Sequence, residues 1–205
     1  MASPDLVPIF ELSPAQLDQL ALGHLRELPT GLAELGLPMV RRFYKSLRTH
    51  SPLFGVAALL QGRVVGAVVG SPEPDHAFDA ITRPLPQFIL HVLLYRRRVL
   101  PQLIWSKLRP AHQEARPNNS ADLMYIFVGQ AARGQGLGRA LVEAFCEEGF
   151  ARGHAAITLS VETNNISAIR LYEKLGFSTT RAGRREGRHV RQRMALHRVR
   201  LPESP

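Results

Sequence analysis

The chain has 205 residues, 45% hydrophobic and 21% charged, which is enough to build one domain with a sizeable core. The single Cys146 excludes an intramolecular disulfide, and no run of about 20 apolar residues free of charge or turn signals exists to form a transmembrane helix. The net charge of +9, carried almost wholly by arginine, favours anionic partners: a phosphorylated cofactor, nucleic acid, an acidic membrane surface or an anionic substrate.

The start, MASPDLVPIFELSP, has no basic segment followed by an apolar core, so no signal peptide is expected and the default location is cytoplasmic. Leu6 to Leu12 reads as a first strand. Ser13-Pro14 then opens a helix, with Ser13 as N-cap, Pro14 at the first helical position, and Leu17, Leu20, Leu22 and Leu25 as its apolar face. Pro29-Thr30-Gly31 breaks it, and a second helical stretch runs from Leu32 to Leu47 with an interruption near Gly36 to Pro38. Leu53 to Leu60 and Val64 to Val69 are apolar runs joined by Gln61-Gly62-Arg63, a hairpin pattern. Their near-continuous hydrophobicity predicts burial on both faces.

After a loop at Ser71 to Asp75, residues 77–108 read as a helical segment broken at Pro101. It holds the apolar run Phe88 to Leu94, then Arg96, Arg97 and Arg98. His91 in that run is expected to be a packed histidine. Pro110 to Ser120 is a polar loop. Leu123 to Val128 is a central strand. Leu137, Leu141, Ala144 and Phe145 mark the buried face of the next helix, which Gly153 ends. Cys146 lies on or beside that face, so a buried thiol is expected. Ile157, Leu159 and Val161 alternate with Thr158 and Ser160 as a strand. Ser167 to Leu175 is a helix closed by Gly176 with Phe177 as its capping contact. The tail from Ser178 to Arg200 holds eight arginines and reads as two strands joined near Glu186-Gly187.

The stretch that organises the chain is Arg133-Gly134-Gln135-Gly136-Leu137-Gly138-Arg139, a glycine turn between strand and helix. Such a turn aims the free N–H groups of a helix N-terminus at one point and favours an anion, typically a phosphate. The alternate glycines let the main chain come close, and Arg133 and Arg139 add charge at each end. The spacing G-x-G-x-G is neither the dinucleotide fingerprint nor a Walker loop. A second block, Asn165 to Phe177, follows about 30 residues later.

Together the two blocks resemble the GNAT superfamily of acyl-CoA N-acyltransferases. Arg133, Gly136 and Gly138 match its R/Q-x-x-G-x-G/A pyrophosphate loop. Asn165, Ala168, Leu171, Tyr172, Lys174, Gly176 and Phe177 match its N-x-x-A-x-x-L-Y-x-K-x-G-F block at every written position. The resemblance is clearest over residues 121–198 and implies one α/β (α+β) domain over residues 1–205. Its expected core is a mixed, mostly antiparallel sheet of about seven strands flanked by helices. The segment 77–108 is then a helical insertion between strands three and four. A lid over the acceptor, an oligomer contact such as a homodimer, and a membrane-surface patch are the roles open to it, besides plain packing on the sheet.

The resemblance implies transfer of an acetyl group from acetyl-CoA to a primary amine by direct attack, with no metal. The expected cofactor-binding set is Phe127, Val128, Arg133, Gly134, Gln135, Gly136, Leu137, Gly138, Arg139, Asn165, Tyr172 and Lys174. A main-chain N–H at Phe127 or Val128 would hold the acyl oxygen. Tyr172 matches the tyrosine that protonates the departing thiolate. Asn165 matches a residue that bonds the pantetheine or a nearby backbone group. Asp122 is the candidate base, since in a regular strand its side chain shares a side with Val128. Tyr125 and Glu162 stand in reserve. Glu162 also lies near the place of a dehydrogenase's acidic residue, a reading the glycine spacing and the second block oppose. Arg41, Arg42 and Arg96 to Arg98 could pair with an acid group, which favours a small amine as acceptor, an amino sugar or another anionic metabolite. A protein N-terminus or lysine is the alternative. A silent acyl-CoA sensor and a nucleic-acid-binding protein are the readings of another class. The tail has no aromatic residue beyond Phe177, so specific nucleic-acid binding is not expected.

Overall fold

A computed structural model describes residues 3–29, 31–48, 52–83, 85–95, 117–186 and 189–198. Seven strands form one sheet in the order β1-β2-β3-β4-β5-β7-β6. They are β1 Asp5–Pro8, β2 Phe54–Leu60, β3 Arg63–Ser71, β4 Ser120–Val128, β5 Ala156–Glu162, β6 Ser178–Glu186 and β7 His189–His197. The helices are α1 Pro14–Glu27, α2 Leu37–Ser46, α3 Asp79–Thr82, α4 Leu85–Tyr95, α5 Leu137–Ala151 and α6 Ile166–Lys174. All neighbouring strands run antiparallel except β4 and β5.

Local chemistry sets most of these boundaries. The first strand is shorter than expected, because the chain curls into a 3-10 turn at Ile9–Glu11. Ser13 caps α1 through a full capping box: its hydroxyl accepts from Gln16 N–H at 3.3 Å, and the Gln16 side chain accepts from Ser13 N–H at 2.9 Å. The β2–β3 hairpin turns at Gln61 (φ 51°) and Gly62 (φ 75°), the positive pair that a tight two-residue turn requires. At the end of α6, Gly176 takes φ 89° and Phe177 N–H returns to Tyr172 O at 3.0 Å, a Schellman closure.

Two apolar cores sandwich the sheet. On one face α1, α2 and α4 cover Ala57, Ala67, Val69 and Phe127, with Leu20, Val40, Phe43 and Tyr44 fully enclosed. On the other, α5 and α6 cover Val68, Leu123, Ile157, Leu159 and Met194. Strands β2 and β3 are buried through most of their length, as their continuous hydrophobicity predicts. Cys146 lies in the second core, where burial pushes its thiol up to about 12. His91 packs from α4 and bonds Leu35 O at 3.1 Å. Of the insertion, α3 and α4 are described; Arg96 to Leu108 lie outside the described residues, as do residues 187–188, near which the last two strands are expected to join. Among the described residues no helix is long and apolar enough to cross a membrane.

Two irregularities of β4 interrupt the regular pairing at the centre of the sheet. Leu123 pairs with Gly70 and Tyr125 with Val69, so Met124 is an extra residue and the strand bulges. The parallel pairing of β4 with β5 covers only Ser120↔Ala156 to Leu123↔Leu159. Beyond it β4 continues to Val128 against β3, and β5 continues to Glu162 against β7. The two strands therefore splay apart in the middle of the sheet.

Candidate active site

A cleft of about 570 Å³ opens at the splay. Its walls come from Ile126–Val128 at the end of β4, the loop after it, the first turn of α5, and α6 from Asn165 to Tyr172. Glu27 and Leu28, at the end of α1, close one side.

The loop wall is made of main chain. Gly134 (φ 76°) and Gly136 (φ 78°) adopt the left-handed conformation that curls the loop into α5. Helix α5 starts at Leu137, inside the glycine stretch. Its N-cap is Gly136, which has no side chain to cap it. The N–H groups of Leu137, Gly138 and Arg139 precede the first intrahelical bond, Ala140 N–H to Gly136 O at 3.1 Å. Gly138 serves a different purpose. A Cβ there would sit 3.8 Å from Val128 Cγ2 and 3.9 Å from Leu171 Cδ2, ordinary contacts for the protein but inside the space between β4 and α6. These donors and this cleared space suit a pyrophosphate followed by a slender chain.

The arginines of the loop are engaged within the protein. Arg133 donates Nε–H to Val128 O at 3.1 Å and pairs through Nη2 with Glu27. Arg139 pairs with Glu143 at 2.9 Å, one turn along α5.

Strand alternation places the main-chain donor of β4. Gly129 N–H donates to Val65 O on β3 at 2.8 Å. Successive N–H groups of a strand point to opposite sides, so Phe127 N–H faces β3 and Val128 N–H faces the splay. Val128 O, on the same side as its N–H, receives the Arg133 bond. Of the two expected positions, Val128 therefore presents its N–H to the cleft. Phe127 contributes its backbone to the wall and packs its ring against Gly23 of α1, where a Cβ would lie 2.7 Å from the ring.

Tyr172 forms the far wall. Its ring is 6% exposed and tilts against Phe177 at 5.7 Å. Burial pushes its hydroxyl up to about 12, so it carries its proton at any working pH. Among the described residues its hydroxyl has no protein partner. Asn165 lines the cleft but spends its side-chain oxygen on Ala168 N–H at 3.2 Å, capping the helix that carries Tyr172. Gln135 and Lys174 stay outside the cleft wall, and Gln135 bonds Ala131 O at 3.4 Å.

Asp122 does not reach the cleft. The Met124 bulge shifts the alternation of β4, so Val128 packs into the second core while Tyr125 and Phe127 pack into the first. Asp122 instead accepts from Arg193 Nη2 at 2.6 Å and Thr158 Oγ1 at 2.7 Å, across β4, β5 and β7. Tyr125 is half-buried against His24, with burial pushing it up to about 12 while Arg191 opposes the shift. Glu162 lies 3.9 Å from Arg191. Arg41 is paired with Asp18 at 3.1 Å and Arg42 bonds Arg83 O, so neither stands ready for an acceptor's acid group. Arg96 to Arg98 lie outside the described residues. Leu28, Ile126, Ala132 and Ser167 are uncharged wall residues that sequence reasoning missed, and Glu27 is the charged one. Its one local signal is a carboxylate at the C-terminal end of a helix, where the dipole disfavours it. Among the described residues no cluster of three His, Cys, Asp or Glu side chains is gathered as a metal site.

Known proteins resemble this chain in sequence and in fold. The sequence model of the acetyltransferase (GNAT) family matches residues 24–177. A 60-residue stretch, 29% of this chain, is 45% identical to 40% of the [ribosomal protein bS18]-alanine N-acetyltransferase of Escherichia coli K12. A 57-residue stretch, 28% of this chain, is 46% identical to 17% of the mycothiol acetyltransferase of Streptosporangium roseum. The chain thus spans less than half the length of either curated relative in these matches. The crystal structure of the Escherichia coli ribosomal-protein-S18-alanine N-acetyltransferase superposes with a TM-score of 0.58 at 19% identity, covering 95% of this chain and 93% of that one, which is a likeness of fold.

Proposed function

We propose that this chain, which belongs to the acetyltransferase (GNAT) family, is an N-acetyltransferase that takes its acetyl group from acetyl-CoA and passes it to a primary amine. The observation that carries the reading is the cleft at the splay, with phosphate-sized main-chain donors at one end and a protonated, buried tyrosine at the other. Acetyl-CoA supplies the acetyl group as a thioester.

The chain's own residues do the rest. The N–H groups of Leu137, Gly138 and Arg139, with the α5 dipole behind them, hold the pyrophosphate. Gly134 and Gly136 give the loop its curl, and Gly138 leaves room for the cofactor's chain. Val128 N–H meets the acyl oxygen and stabilises the negative charge that develops there as the amine attacks. Tyr172 gives its proton to the sulfur as the carbon–sulfur bond breaks. Asn165 holds the helix that aims Tyr172. The one carboxylate on the described wall is Glu27, already bound to Arg133, so the amine sheds its proton to water in the cleft.

For the acceptor, a small amine is our first candidate and a protein N-terminus the second. The second is supported by the alanine N-acetyltransferase named among the relatives. The experiment is a thermal-shift series with acetyl-CoA, CoA, NAD and a short RNA, followed by CoA-release assays on amino sugars and on peptides with a free N-terminus. A ligand at about 100 times its Kd stabilises the native state by roughly 2.7 kcal/mol. Shifts with acetyl-CoA and CoA alone support the cofactor. A folded sample that responds to neither refutes it. Turnover of amino sugars or of peptides decides between the acceptors.

A further inference from the structure

The last residue of α1 stands where helix physics disfavours it. Glu27 brings a carboxylate to the negative end of the helix dipole and into the wall of a cleft suited to an anion. Its side chain is only 9% exposed. What offsets both penalties is Arg133, a residue 106 positions away that belongs to the glycine loop. The same guanidinium donates through Nε to Val128 O, the carbonyl of the residue whose N–H faces the splay. A planar guanidinium bonded through Nε to one partner and through Nη2 to another is fixed in both position and plane. On the other side of the pair, α1 is pressed against β4 at Gly23 and Phe127, and Leu28 N–H closes the helix on His24 O at 2.8 Å. Glu27 is therefore set on a helix that has little freedom to move away.

Resting on the acetyl-CoA reading above, we infer that Glu27 is a positioning residue of the cofactor site: it holds Arg133 across the back of the glycine loop, so that Arg133 shapes the loop instead of ligating the phosphates. Glu27 cancels the charge of Arg133, and the attraction for the pyrophosphate comes from the main-chain donors that the pair keeps in place. The clasp also joins the loop, the end of β4 and the end of α1 into one unit. Val128 is then held by its carbonyl on the side where its N–H must meet the acyl oxygen.

The two roles open to Arg133 give opposite results for Glu27→Gln. A phosphate ligand would be freed by that change, and a like charge would leave the cleft, so CoA would bind more tightly. A brace would be loosened, and CoA would bind roughly tenfold more weakly. The experiment is calorimetric titration of CoA into wild type, E27Q, R133Q and the double variant at several salt concentrations, with the melting temperature of each unliganded protein. We expect both single variants to weaken CoA by a similar factor and the double to be no worse than the weaker single. The salt dependence of Kd should be unchanged by R133Q, because no phosphate contact is lost. Tighter binding to E27Q, additive losses in the double, or a flattened salt dependence in R133Q would overturn the inference. If R133Q does not fold, R133K keeps the charge but lacks the Nε bond: weakened binding supports the brace, and wild-type affinity overturns it. Wild type that binds no CoA would overturn the cofactor reading itself, and the inference with it.

Discussion

His24 makes the stability of this protein sensitive to mild acid. It sits fully buried among α1, α2 and β4, with Nδ1 bonded to the Tyr44 hydroxyl at 2.8 Å and Nε2 without a partner among the described residues. The rings of Tyr44 and Tyr125 meet it edge-on, at 5.7 Å and 4.9 Å. Charging such an imidazole strips its hydration and supplies no counter-charge, so burial lowers its pKa from 6.5 to about 4. The unfolded chain then binds more protons than the folded one between those two values. Stability from this group is complete above pH 6.5 and is lost as pH falls towards 4. Integrating the two titrations from pH 7.5 to 5.0 gives a loss of about 2 kcal/mol, and of about 3 kcal/mol once both states are protonated. The perturbation is His24→Gln, which keeps a polar partner for Tyr44 and cannot titrate. Urea unfolding at pH 7.5, 6.5 and 5.0 should show wild type losing about 2 kcal/mol more than the variant. Contributions from His154, whose pKa burial also lowers, are common to both proteins and cancel. Equal pH dependence in the two proteins would refute the argument and show that His24 titrates in the native state as it does in the unfolded chain.

Tyr172→Phe should lower kcat by roughly 100-fold while the Kd for CoA stays within about twofold; unchanged turnover would remove the tyrosine from the mechanism. Because the hydroxyl titrates at about 12, the wild-type rate should show no Tyr172-dependent fall up to pH 10, and an alkaline limb that vanishes in the Phe variant would contradict this. Gly138→Val should fold, with a melting temperature close to wild type, yet lose CoA binding, since its side chain would fill the gap between Val128 and Leu171. Gly136→Val should lose binding and stability together, because a β-branched residue is strained at φ 78°. Arg193→Ala should cost about 3–5 kcal/mol by removing a buried cation that pairs with the Asp122 carboxylate at the strand junction, measured by urea unfolding, whereas a loss under about 1 kcal/mol would mean the pair contributes little.

What the sequence reveals about the fold is what neighbouring residues decide between them. The Ser13–Gln16 capping box, the Gln61-Gly62 turn and the Gly176 closure are each complete within a few residues. Their elements begin or end within a residue or two of expectation. Leu137, expected on the buried face of α5, is also its first residue, within the glycine stretch. The β4 bulge is of another kind. It arises where β4 meets Gly70 of β3, a residue some 50 positions earlier in the chain, where an added Cβ would lie 2.1 Å from Asp122 O. No residue of β4 announces that approach, and the expected side of Asp122 fails with it.

The same division runs through the site. The glycine-loop end of the cleft is legible because its main-chain curl needs left-handed residues, and glycine is the visible mark of that need. Tyr172 and Asn165 are legible because the helix that carries them has its cap and its closure written in sequence. Glu27 is not, because its meaning lies in a partner 106 residues distant. Nor is the splay, on which the proposed chemistry depends. Strands β4 and β5 share four paired positions and then part, so the middle of the sheet acquires an edge. A strand edge has main-chain donors that demand partners. At the outside of a sheet water satisfies them; here Val128 N–H faces a cleft walled by α6 and the glycine loop. An extended cofactor arm laid along that edge would bring its thioester carbonyl to the donor as a strand would, and that carbonyl would gain the more from the bond as negative charge develops on it. The proposed donor is thus a consequence of interrupted pairing, which belongs to the assembled sheet and to no single residue within it.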